Sequence, residues 1–124
     1  MEKDRFCGSC HCGAVQFSIP RDIDTDAVRR CDCSLCKRRG AIMLSCLTED
    51  VKIEQGAECL IQYKWNTNVA THHLCSNCGI MTHHQRRTTP EICSINVGCI
   101  DEFDYRSFQD VPMNNGIELT LVEK

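Results

Sequence analysis

Seven of the twelve cysteines fall into three short groups: Cys10-His-Cys12-Gly, Cys31-Asp-Cys33-Ser-Leu-Cys36 and Cys75-Ser-Asn-Cys78-Gly. A metal shared between distant groups forces them together, so their spacing constrains the fold before any strand or helix is assigned. Two sets of four cannot be made from these seven, whereas a set of four and a set of three can. Zinc with four protein ligands is closed and structural; with three it keeps a position for water or substrate. The expectation is therefore two zinc ions per chain, one that holds the fold and one that does chemistry.

So many thiols would suit a disulfide scaffold in a short secreted chain. The segment Met1-Glu-Lys-Asp-Arg-Phe-Cys-Gly, however, has no apolar core of an export signal, and no long apolar run follows. The expected setting is a reducing cytoplasm without membrane attachment, where closely spaced cysteines serve as thiolate ligands. The formal net charge is -3, and ligand thiolates would make the loaded protein more acidic, which disfavours a nucleic-acid partner. The runs Arg29-Arg30, Lys37-Arg38-Arg39 and Arg86-Arg87 read as solvated faces close to the cysteine and histidine groups. Of these, Lys37 and Arg38 could also receive an acidic ligand, such as a carboxylate.

With 124 residues and no linker or low-complexity stretch, residues 1–124 are expected to form one domain. Apolar and polar residues alternate in 15–19 and 60–65, the period of half-buried strands. Strand-like runs also cover 41–47, 51–54, 69–74, 80–85, 92–97 and 117–122. The prolines at 20, 90 and 112 lie between these candidates. The chain reads as mainly antiparallel β. Its helical content is short: a turn or two from Ser34, as N-cap, to Arg39 with Gly40 as stop, and another turn within 101–108.

Cys75-x-x-Cys78-Gly79 is half of a zinc knuckle, with glycine where the chain must turn at positive φ. Spacing offers two partners for it, Cys7-x-x-Cys10 and Cys10-x-Cys12-Gly13. His72, His73, His83 and His84 add a formal two-cysteine, two-histidine alternative, although adjacent histidines on strands point to opposite faces and one of each pair is expected outside. Cys31, Cys33 and Cys36 form the three-sulfur candidate. The start of the short helix and the cations at 37–39 should lower their pKa values. Three anionic sulfurs weaken a metal's pull on water while still permitting sulfur exchange, which favours handling a substrate thiolate over hydrolysis. Cys46, Cys59, Cys93 and Cys99 read as buried, inert thiols.

These residues together resemble the glutathione-dependent formaldehyde-activating enzyme family, which also contains the centromere protein V domain. The matching stretches are Gly8-Ser-Cys10-His-Cys12-Gly-Ala-Val15, Cys31-Asp-Cys33-Ser-Leu-Cys36-Lys-Arg-Arg-Gly40, Leu74-Cys75-Ser-Asn-Cys78-Gly79 and Ile95-Asn-Val-Gly98-Cys-Ile-Asp101. The resemblance implies a β-tent, antiparallel sheets around a structural zinc. It implies Cys10, Cys12, Cys75 and Cys78 as structural ligands, and Cys31, Cys33 and Cys36 as holders of a catalytic zinc. It further implies a carbon-sulfur lyase or synthase that takes glutathione and formaldehyde to S-hydroxymethylglutathione, or the reverse. Asn96, Gly98 and Asp101 would shape the domain. The alternative is a non-enzymatic, zinc-stabilised protein-interaction module of the same tent type, which would need only the four-sulfur set.

Overall fold

The computed structural model describes residues 4–64, 70–86 and 89–114. Three strands, β1 (Arg5–Ser9), β2 (Gln16–Pro20) and β5 (Lys52–Gln55), form one antiparallel sheet in the order β1-β2-β5. Five more, β4 (Met43–Leu47), β6 (Leu60–Tyr63), β7 (Thr71–Cys75), β8 (Met81–Gln85) and β9 (Ile92–Asn96), form a second antiparallel sheet ordered β4-β9-β8-β7-β6. Short β3 (Arg30–Cys31) and β10 (Met113–Asn114) pair in parallel. Helix α1 (Ser34–Arg39) is a turn and a half, and four 3-10 turns complete the described elements. This is the mainly β, antiparallel architecture with few helical turns expected above, and two clusters of cysteines lie on it in keeping with a β-tent.

The alternation predicted from the sequence places the core. Phe17 and Ile19 on β2 and Phe6 on β1 are buried with Cys46 on β4 and Cys93 and Ile95 on β9, so the two sheets share one apolar cluster. Val28, Ile42, Leu44 and Val97 make a second. A third, Cys10, Val15 and Cys75, sits where the turns bearing the first and third cysteine groups meet.

Strand β1 has no apolar alternation to reveal it. Gly8 faces Phe17 across the β1–β2 pair, and the Phe17 ring occupies the space a Cβ at position 8 would need. Pro20 closes β2 opposite Arg5 rather than lying between strands, which its missing N–H permits at a strand end. The N-cap of α1 is Cys33, not Ser34: the Cys33 sulfur accepts the Cys36 N–H at 3.3 Å. Gly40 ends the helix as expected, its N–H reaching the Cys36 carbonyl at 2.8 Å. The turn predicted within 101–108 is present at Tyr105–Ser107, whereas the run 117–122 lies outside the described residues. Among the described residues no helix is long and apolar enough to cross a membrane.

Candidate metal centres

The turn after β1 and the β7–β8 turn bring Cys10, Cys12, Cys75 and Cys78 together, all four sulfurs lying within 4.8 Å of one another. Cys10 and Cys12 are 3.7 Å apart, and Cys12 and Cys75 are 3.8 Å apart across 63 residues of chain. Disulfides require about 2.05 Å. Four sulfurs at about 2.3 Å from a tetrahedral zinc stand roughly 3.8 Å apart, so the donor set fits that ion. Cys7 lies on β1 and is not among the sulfurs brought together there.

Backbone N–H groups face these sulfurs, as thiolates need. Val15 donates to Cys10 at 3.3 Å and Asn77 donates to Cys75 at 3.4 Å. Cys78 is pulled down to about 6, first by the Ile80 N–H and then by that of Cys12, and Cys12 is lowered, first by Asn77. Gly13 and Gly79, which follow the two pairs, hold φ of 84° and 79°. Only glycine takes such angles without penalty, and they fold each chain segment back past its sulfurs.

The second set, Cys31, Cys33 and Cys36, has its sulfurs within 4.8 Å of one another, carried by β3 and the start of α1. Among the described residues no fourth cysteine, histidine or carboxylate joins it. The N–H of Cys33 points to Cys31 at 3.5 Å, and that of Cys36 to Cys33 at 3.3 Å. Burial raises all three thiols. At Cys33 it is overcome first by the Cys36 N–H, then by the Cys36 and Cys31 thiols and the Leu35 N–H, so that thiol is lowered, whereas Cys31 and Cys36 stay raised. The helix start therefore acts on its capping sulfur, Cys33, and not on the whole group.

The histidines join neither set. His72 opposes His84 and His73 opposes His83 across β7 and β8, as stacked pairs with ring centroids 4.8 Å and 4.3 Å apart. None of the four is simply turned outward: His72 and His83 are buried, and the other two are partly buried. Thr82 gives its hydroxyl proton to the His73 carbonyl at 3.4 Å, leaving its oxygen to accept from Nδ1 of His83 at 2.8 Å. Arg39 donates to Nδ1 of His72 at 3.3 Å. Because a guanidinium can only donate, His72 is neutral and carries its proton on Nε2.

Cys46, Cys93 and Cys99 are buried, and burial raises them to about 11, 12 and 12, as inert core thiols should be. Cys59 packs partly buried beside the four-sulfur set. Asn96 caps the turn after β9 through the Gly98 N–H at 3.2 Å and donates to the Met81 carbonyl at 2.9 Å. A feature missed from the sequence is a cleft of about 310 Å³ walled by Arg39, Leu74, Ile80, Met81, Asn96 and Tyr105, between α1 and the Cys75–Cys78 turn. Its walls come from four separate segments, with a register shift between His73 and Leu74, and no local periodicity announces such a meeting.

A protein-family model described as glutathione-dependent formaldehyde-activating enzyme matches residues 5–112. Among solved structures, the chain is similar to a crystal structure of a Rhodobacter sphaeroides protein. The two are 42% identical, the match covers 87% of this chain and 99% of that one, and the TM-score is 0.83.

Proposed function

Because the chain belongs to the glutathione-dependent formaldehyde-activating enzyme family, we propose that it is a zinc-dependent carbon-sulfur lyase or synthase acting on a small thiol adduct. Residues 1–124 would form one such domain. The four sulfurs of Cys10, Cys12, Cys75 and Cys78 would hold a structural zinc, and Cys31, Cys33 and Cys36 would hold a second. The observation that carries this reading is the inequality of the two sets, four sulfurs against three with no fourth donor among the described residues. When bound, the second zinc would supply a position at which a substrate thiol is stabilised as thiolate.

The balance of the reaction is simple. Glutathione loses its sulfur proton, a carbon-sulfur bond forms to the formaldehyde carbon, and the carbonyl oxygen takes a proton to give S-hydroxymethylglutathione. Cleavage runs the same steps backwards. The protein's share is to orient the sulfur and hold it desolvated beside an electrophile. Cys33, with two backbone N–H groups on its sulfur, is the group best prepared to remain a thiolate ligand throughout.

Cobalt(II) in place of zinc tests this. Titration with glutathione should give a saturable rise in sulfur-to-metal charge-transfer absorption, and Cys36→Ser should lose one metal per chain together with that rise. Adduct formation, followed by NMR, should exceed the spontaneous rate with the parent protein and fall to it with Cys36→Ser. A spectrum unmoved by thiol would remove the reading and leave the interaction-module alternative.

A further inference from the structure

Arg39 stands apart from its two cationic neighbours. Lys37 and Arg38 are exposed, whereas Arg39 is only partly exposed and turns toward the five-stranded sheet to meet His72. Among the described residues it is the one charged side chain on the walls of the cleft between α1 and the Cys75–Cys78 turn. Among the described residues no carboxylate pairs with it: the ion pair found there joins Arg21 to Glu102. A cation withdrawn from water without a counter-charge is costly, and its retention calls for an anion.

The nearest candidates for that anion are the sulfurs of Cys36 and Cys33, whose negative charge favours the charged form of Arg39 against the burial that lowers it. Bound to a divalent zinc, the three thiolates would keep a net charge of about -1, which attracts the guanidinium, but it is spread over sulfurs that serve the metal. Cys36 and Arg39 are three residues apart on α1, hence on one face with Cβ atoms about 5–6 Å apart. A molecule whose sulfur joined the three cysteines would therefore start within one helical turn of Arg39, whose charge already feels the Cys36 and Cys33 sulfurs.

Behind Arg39, the neutral His72 ring accepts from it and stacks on His84, whose Nδ1 is buried without a partner among the described residues. Arg86, on the far side of that pair, is held to Ser45 and, at 3.3 Å, to Ser94. Arg39 and Arg86 thus bring two positive charges to this face, and among the described residues neither forms an ion pair with a carboxylate.

We propose that this cleft is the carboxylate subsite of the thiol substrate, with Arg39 binding the carboxylate and His72 positioning Arg39. The inference rests on the thiol-binding reading above and narrows it to acidic thiols. It replaces Lys37 and Arg38 in that role.

The test compares two probes of equal size, 3-mercaptopropionate and 3-mercaptopropionamide, by charge-transfer titration of the cobalt-loaded full chain. The parent should bind the carboxylate about tenfold more tightly, the order of one charge-assisted pair. Arg39→Gln should bind both probes as the parent binds the amide, Arg39→Lys should keep part of the preference, and Lys37→Gln should keep all of it. His72→Gln should reduce the preference without changing the cobalt content. Equal affinity of the parent for the two probes, or a preference that survives in Arg39→Gln, overturns the subsite while leaving thiol binding intact. Saturable binding of neither probe overturns both readings. The parent comparison needs no variant to fold.

Discussion

Imidazoles buried in the neutral form must gain protons when the chain unfolds in mild acid, and four of the histidines here are in that position, His73 being lowered first by burial. Burial first, then neighbouring charge, lowers His72 to about 4 and His83 and His84 to about 3, against 6.5 in the open. Between those values the unfolded chain binds more protons than the folded one. The stabilisation is complete above about pH 6.5 and is lost as pH falls toward 3–4. A drop from pH 7 to pH 5 should cost about 1–2 kcal/mol per ring. Urea midpoints at the two pH values measure this, with cobalt absorption confirming that metal stays bound. His83→Asn should flatten the dependence; a midpoint that does not move would mean that the rings are already solvated. The histidines also mark the limit of sequence reading at this scale. Adjacent strand residues do face opposite ways, but a partner strand and Arg39 cover the faces that the pattern leaves open. Likewise, three consecutive cations on a helix are equivalent in sequence, and only the position of β7 singles out Arg39.

At the scale of elements, the glycines of the turns separate conformational cost from steric cost. A Cβ on Gly79 would meet nothing within 4 Å, so Gly79→Ala should lose only the preference for its φ of 79°, about 1 kcal/mol. At Gly56, with φ of 82°, a Cβ would collide with the Ala14 carbonyl, so Gly56→Ala carries both costs and should destabilise more. Thermal unfolding of the two variants ranks them, and the reverse order would mean that the Ala14 segment yields easily. Strand β2, foreseen from the alternating run 15–19, and β4 and β9, foreseen from apolar, β-prone runs, were legible to within a residue or two. Pairings held by backbone alone were not. β1 contributes a glycine to the face where β2 contributes Phe17, and β3 with β10 offers two residues each. The helix was legible but its cap was misplaced by one residue, since a thiolate sulfur does the capping that a serine hydroxyl usually does.

Over the whole molecule, the four-sulfur set ties the turn after β1 in one sheet to the β7–β8 turn in the other, and it closes a loop of 63 residues between Cys12 and Cys75. Its third apolar cluster contains Cys10, Val15 and Cys75, so cross-link and core coincide there. The three-sulfur set, by contrast, spans six residues of chain from Cys31 to Cys36 and joins no distant elements. Loss of the first metal should therefore release the sheets from each other, while loss of the second should relax only β3 and the start of α1. The expected result of chelation is two phases, one equivalent of metal leaving in each. The earlier phase should abolish the thiol-dependent absorption with far-ultraviolet dichroism unchanged, and the later should coincide with unfolding. Cys75→Ser should show only the consequences of the second phase, with a fold that is lost or metal-hungry, and Cys36→Ser only those of the first. Release of both equivalents in one step coincident with unfolding would mean that both metals are structural. The distinction between four ligands and three would then carry no functional weight, however clearly the spacing suggests it.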